Sequence, residues 1–494
     1  MRVHVSQVSA LTGAYVGFNY AIYVLLFQVF SDSSVEPGTT LVVQFALMTV
    51  VIAQLALLSR NILNTHLFFL LYLFIYAVLV PILVIYVDVS IYLAQYVRDN
   101  PASLVAANSY IMLGLLPYAC IAVRDLNTEH PQRPGTDLSP RAYPVAAVVL
   151  LGVGILIWSV LFIKSGSPLS AFAGALEGRD RGQFSDITGR EYVKSLLFCF
   201  NIATLLILAF IYKSSKFTYL IAAVFFAYVI VVANVFDGQR LFIVGGIMSL
   251  ILLFEVMNLS SRPALQRSKY LVAPRLNLRY ILFGVSLVLF LMLYGQYRSQ
   301  NIGVEGATTR DILYEQSTFY FANVFDSATT YPFVVDQIDE GKDFWFGKSL
   351  YTPILNRIPR TVFPTIYDHI YGSGRFAEEF LGFDHYDVGT VSRSCSVFCD
   401  AYLNFGGFGV IIAIVLFALA NSYMNRTLVQ KTENLFFVVL WITYISYFLP
   451  YVFKSSFPQA ISLLDFRLGF FLLVLFFAQV VVSSNRVRRV SFQP

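Results

Sequence analysis

The sequence predicts an all-α polytopic membrane protein of about twelve transmembrane helices, with one large outer loop containing short interfacial helices. Three observations predict it. The chain of 494 residues is 57% hydrophobic and only 13% charged, about half the charge of an ordinary soluble domain. Apolar runs of about 20 residues recur along it, each long enough to cross the hydrocarbon layer as a helix whose backbone is satisfied internally. Lys and Arg concentrate in alternate connections, as the positive-inside bias requires.

The predicted spans are 11–30, 41–59, 66–87, 103–123, 143–163, 195–212, 217–235, 240–257, 280–296, 407–424, 434–453 and 464–483. The first is too long, and too rich in Tyr and Phe, for a cleaved signal peptide. Arg60, then Arg124, Arg133 and Arg141, then Lys213 and Lys216, then Arg262 to Arg279, then Arg426 and Lys431, and finally Arg486, Arg488 and Arg489 all fall on one side. That side is expected to be cytoplasmic, together with both termini. The chain then divides into three regions: residues 1–296 with nine spans and an outer loop at about 165–194, the large outer loop 297–406, and residues 407–494 with three spans and a tail.

The net charge of +5 comes from that bias, so no nucleic-acid partner is expected. The cysteines, four in all, are too few for a disulfide framework. Cys395 and Cys399 both fall on the outer side, where a disulfide, two idle thiols or a metal site with His385 would be compatible with their chemistry. No zinc-type spacing supports the last, and no metal or cofactor is expected.

Both long outer segments carry arginine against the bias. Arg179, Arg181 and Arg190 lie in the first; Arg298, Arg310, Arg357, Arg360, Arg375 and Arg393 lie in the second. Anion binding would account for them, and so would ordinary solvation of a long loop whose acids balance its bases. Arg240 lies at the outer mouth of the eighth span with Asp237 one turn before it. Charge at that depth marks either a functional site or a local ion pair. Arg467, with Asp465 close by, is explained by snorkelling.

The large loop is too apolar for a solvated linker. "DILYEQSTFYFANVFDSATTYPFVV" has apolar residues at helical spacing, and Pro353, Pro359 and Pro364 divide the next stretch of the loop into short pieces covering the outer mouth. If the tenth span begins before the membrane, Ser396, Asp400 and Asn404 share one helix face. Gly406, Gly407 and Gly409 would then allow close packing against a neighbour.

The order of "DGQRLFIVGGIMSLI", "FGKSLYTPILNRIPRTVFP" and "SVFCDAYLNFGGFGVIIAIV" resembles the Wzy-type oligosaccharide repeat-unit polymerases of bacterial surface polysaccharides, including O-antigen polymerases. Ile358, Pro359, Arg360, Phe363 and Pro364 match one motif; Asp400, Tyr402, Asn404, Phe405 and Gly406 match another, in which relatives often carry Glu at the position of Asp400. The likeness covers the second half of the chain; the first half matches in topology.

The resemblance implies a GT-C-like glycosyltransferase of lipopolysaccharide biosynthesis. It would move a growing chain from undecaprenyl pyrophosphate onto an incoming lipid-linked repeat unit at the periplasmic face of the inner membrane. Donor and acceptor lipids, the bilayer and a chain-length regulator are the implied partners. Arginine suits a departing diphosphate because its fork grips two oxygens, so Arg179, Arg181, Arg240, Arg298, Arg360 and Arg375 are candidate ligands. The attacking hydroxyl needs a base, for which Asp400 comes first, with Glu378, Glu379, His369 and His385 in reserve. Tyr371, Tyr402 and Asn404 are candidate sugar contacts, and interfacial anchoring also explains such tyrosines. An O-antigen ligase, a lipid-linked oligosaccharide flippase and a small-anion transporter are the competing classes; a flippase would show two related halves with short loops, and no such symmetry is visible.

Overall fold

In a computed structural model the chain is described over residues 37–58, 63–86, 93–127, 142–164, 201–209, 240–260, 327–355, 373–382, 395–430 and 434–490, with a few single positions between them. All regular structure among the described residues is helical. Among the described residues five helices are long and apolar enough to cross a membrane: Pro37–Leu55, Thr65–Tyr86, Pro101–Asp125, Val397–Leu428 and Leu435–Lys454. The expected spans 11–30 and 280–296 lie outside the described residues, as do 217–235 apart from residues 221 and 224, and 312–324 of the expected outer loop.

The helices are α1 (Pro37–Leu58), α2 (Thr65–Phe74), α3 (Val80–Tyr86), α4 (Ala94–Asp99), α5 (Pro101–Asn127), α6 (Ala142–Lys164), α7 (Arg240–Ser260), α8 (Ser327–Asp339), α9 (Thr352–Leu355), α10 (Ser373–Leu381), α11 (Val397–Gln430), α12 (Leu435–Thr443), α13 (Leu449–Lys454) and α14 (Phe457–Val490). Contacts divide them into two compact units. The first comprises 1–130, 313–426 and 449–461; the second comprises 131–312, 427–448 and 462–494.

In the first unit α5 packs against α1 and α8, and α2 against α1 and α13. Its core is aromatic, with Phe69 stacked on both Tyr118 and Phe417. Gly114 gives α11 room, because a Cβ there would lie 2.6 Å from the Ile414 side chain. In the second unit Ala142, Ala146 and Leu150 of α6, Ile202 and Leu206, Val439 of α12 and Phe471 of α14 form the buried core.

One local device occurs twice. Asn64 caps α2 by accepting the His66 N–H, and Asn434 caps α12 by accepting the Phe436 N–H. Each helix then widens into a π turn, Ile75–Leu79 or Tyr444–Phe448, followed two residues later by Pro81 or Pro450. Proline lacks the N–H and crowds the carbonyl four residues back, and the wider turn relieves that crowding.

Candidate functional site

The site grows from the start of α11. The Cys395–Cys399 disulfide closes its first turn, so the alternative of idle thiols or a metal ligand pair at these two residues is set aside. Ser396 accepts the Cys399 N–H at 3.3 Å and shares a 2.6 Å hydrogen bond with the Tyr76 hydroxyl. The helix does begin well before residue 407, and the shared face expected for Asp400 and Asn404 is present: Asn404 Nδ2 donates to the Asp400 carbonyl at 2.7 Å and lies 3.5 Å from its carboxylate.

The helix then breaks. Phe405 and Gly406 leave helical geometry, and Gly406 takes φ 62°, the left-handed region that glycine enters without steric cost. The neighbouring glycines divide the work. A Cβ on Gly407 would lie 2.1 Å from the Tyr110 ring of α5, whereas one on Gly409 would lie 2.2 Å from the Ala401 carbonyl of the same kinked helix. Close approach to a neighbouring helix therefore falls to Gly407, while Gly406 and Gly409 serve the bend.

Residues 345–355 dock on this start. The Trp345 N–H donates to the Leu403 carbonyl at 2.7 Å, and Asn404 Nδ2 donates to Ser349 Oγ at 2.7 Å. The Ser349 hydroxyl and the Phe457 N–H, at the N-terminus of α14, also donate to Asp400. An acceptor at a helix start satisfies one of its orphan donors. Thr352 Oγ1 donates to the Tyr371 carbonyl at 2.8 Å and accepts the Tyr371 N–H at 2.9 Å, which ties Tyr371 to α9.

Helix α10 completes the arrangement. Phe376, Ala377 and Phe380 are buried, while Arg375, Glu378 and Glu379 on the same short helix remain partly accessible. Glu379 accepts from Trp345 Nε1 at 2.8 Å and from Arg375 Nε at 2.6 Å; Glu378 lies 3.5 Å from Arg375 Nη1. Lys342 Nζ donates to the Glu379 carbonyl at 2.8 Å. Partial burial pulls the Arg375 pKa down, but the hydrogen bond and charge of Glu379, with Tyr371 and Glu378, outweigh it and hold the guanidinium above its ordinary value.

These neighbours change the expected roles. Arg375 is held by two carboxylates, so it is not an open fork awaiting phosphate. The accessible cation beside it is Lys348, whose ammonium lies 5.1 Å from the Tyr371 ring centroid with no carboxylate within ion-pair distance among the described residues. Asp400, Tyr402 and Asn404 are 1%, 3% and 1% exposed, so they stand behind the surface rather than on it. Tyr371, Glu378 and Glu379 do reach it. Arg240 opens α7 in the second unit. Arg179, Arg181, Arg298, Arg360, His369 and His385 lie outside the described residues.

Sequence reasoning missed Trp345, Lys348, Ser349 and Thr352. "WFGKSLYT" carries no periodicity that marks it, although Gly347, at φ 83°, signals the turn that starts it.

It also missed a second polar cluster, at the other end of the same helices. His66 Nδ1 shares a 2.8 Å hydrogen bond with the Tyr118 hydroxyl, and its Nε2 lies 3.5 Å from Asp125 Oδ2 and 3.3 Å from Ser422 Oγ. Asp125 also accepts from Arg426 Nε at 3.0 Å and from Asn425 Nδ2 at 3.3 Å. Asn425 in turn accepts the Thr65 N–H at 2.8 Å and donates to the cap residue Asn64 at 2.9 Å. Asp125 adjoins Arg124, one of the loop cations that set the expected orientation, but nothing in the spacing joins it to residue 426.

No group of three or more His, Cys, Asp or Glu side chains suited to a metal occurs among the described residues. Comparison of the chain with protein-family models, with curated proteins and with solved structures yields no match.

Proposed function

We propose that this protein is a GT-C-like glycosyltransferase that polymerises undecaprenyl-pyrophosphate-linked repeat units at the periplasmic face of the inner membrane, on a scaffold of about twelve spans. The observation that supports it most is a junction. Two stretches that carry the polymerase resemblance are hydrogen-bonded to each other through Asn404 to Ser349, and Trp345, immediately before the first of them, donates to Leu403 in the second. Motifs of one active site need such proximity; motifs of unrelated origin do not.

In this reading the attacking hydroxyl of the incoming unit bonds to the anomeric carbon of the growing chain. The bond to the lipid diphosphate breaks, and its electron pair leaves with the diphosphate. The hydroxyl proton passes to a carboxylate. A base has to reach its proton, so Glu378, accessible beside Arg375, takes that role, and buried Asp400 holds the junction that positions it. Lys348 is assigned to the leaving diphosphate, and Arg179, Arg181, Arg240, Arg298 and Arg360 are the sequence's candidates for the same role. Tyr371 offers its ring to a sugar.

The test uses a strain whose surface glycan depends on this protein. Glu378→Gln, Arg360→Ala and Arg240→Ala should each leave the protein in the membrane yet reduce the glycan to single repeat units. Full-length polymer from all three would end the assignment. Polymer retained on undecaprenyl pyrophosphate, with none on the lipid A core, would favour a ligase instead.

A further inference from the structure

The surface of the first unit changes character across Trp345. Asp339, Glu340, Lys342 and Asp343 precede it, all charged and all exposed. Phe346, Leu350, Ile354 and Ile358 come after it at intervals of four residues and are 74%, 47%, 69% and 36% exposed. A run of uncovered apolar side chains directly after a wet, charged turn is not a pattern that water alone favours.

Two further observations bear on what covers it. Phe346 takes φ 49°, a left-handed conformation that bulky side chains avoid, and this turn leaves its ring pointing outward rather than into the fold. The stripe also continues into a membrane-type surface. A Cβ on Gly347 would lie 3.3 Å from the ring of Phe405, and Phe405 heads the exposed face of α11 that runs on through Phe408, Ile412 and Leu416. That helix is one of those long and apolar enough to cross a bilayer. Between these residues Lys348 stays exposed, a cation placed at the level where the apolar face meets the charged turn.

We propose that residues 346–355 form a ledge seated in the bilayer itself, in the leaflet at the end where α11 begins. The partner is the boundary between lipid headgroups and acyl chains: Phe346, Leu350 and Ile354 enter the acyl side, and Lys348 stays with the phosphates. Amphipathic segments with an apolar face and a basic margin lie in that layer. The ledge goes beyond the polymerase reading and stands without it. If both hold, Tyr371 and Arg375 sit at headgroup depth, where a lipid-linked diphosphate is found.

The experiment is a depth measurement on the full chain in nanodiscs of phosphatidylethanolamine and phosphatidylglycerol. Cys120 and Cys199 are replaced by Ser, and single spin labels are placed through Phe346→Cys, Leu350→Cys and Ile354→Cys. Lys342→Cys serves as the aqueous reference and Leu416→Cys as the lipid reference. The log ratio of oxygen to nickel-chelate collisions should have opposite sign at the ledge and at position 342, and should approach the value at 416. Nickel collisions equal to those at 342 would put the stripe in water and overturn the ledge. Protection from both reagents would mean a protein cover and would overturn it equally. The three positions report independently, so a variant that fails to fold leaves the other two to decide. Glycan ladders play no part in this readout, so its failure is distinct from failure of the polymerase reading.

Discussion

The two ends of the first unit hold polar groups in opposite ways. At one end Asp125, His66, Asn425 and Arg426 join α2, α5 and α11 into a knot of side chains, each already within a membrane-type helix or one turn of its end. At the other end Asp400, Asn404 and Ser349 tie a helix start to a segment outside any span, and Arg375, Glu378, Glu379 and Lys348 spread over the surface. Only the second end leaves room for a ligand. A closed knot fixes helices relative to one another, whereas a supported surface leaves donors, acceptors and charge accessible to a substrate.

Asp125→Ala should disturb the closed knot most. It takes the carboxylate from Arg426, Asn425 and His66, and losing hydrogen bonds to a buried charged acceptor costs about 3 kcal/mol. Denaturant unfolding in detergent should show the largest loss of the series; on the proposed polymerase reading, protein that stays folded should still give glycan of normal length. Asn404→Ala comes next, at about 2 kcal/mol for buried hydrogen bonds left unmade. Hydrogen exchange should rise across 345–355 with the α2 amides unchanged; equal loosening of both would mean that the two ends are not separate.

Thr352→Val removes the hydroxyl that both donates to and accepts from Tyr371, for about 1 kcal/mol. Limited proteolysis between 356 and 371 should quicken with little change in global unfolding. The smallest effect is expected for Arg375→Ala. An accessible pair one helical turn apart contributes about 0.4 kcal/mol, so the unfolding midpoint should scarcely move. A large drop would place Arg375 among the structural residues and remove it from the accessible surface.

The legible and illegible parts of the chain differ for the same reason at both ends. Spans 41–59, 66–87 and 103–123 are visible in the sequence because crossing hydrocarbon demands a continuous apolar run, and the structure has helices at Pro37–Leu58, Thr65–Tyr86 and Pro101–Asn127. The alignment of Asp400 with Asn404 is visible because a helix repeats nearly every four residues. By contrast His66, Asp125 and Asn425 are far apart in the chain, and each looks like an ordinary polar residue at a helix end. Their meeting depends on which helices become neighbours.

The amino-acid sequence alone sets the apolar surroundings of the long helices and the alignment of Asp400 with Asn404, since both arise from local composition and backbone periodicity. Tertiary structure alone decided that Asp400 is enclosed while Glu378 is reachable, that Arg375 is already held by acids, and that Trp345 and Ser349 clasp the head of α11. Enclosure and pairing are properties of several segments at once, and no single stretch of sequence carries the distance between two others.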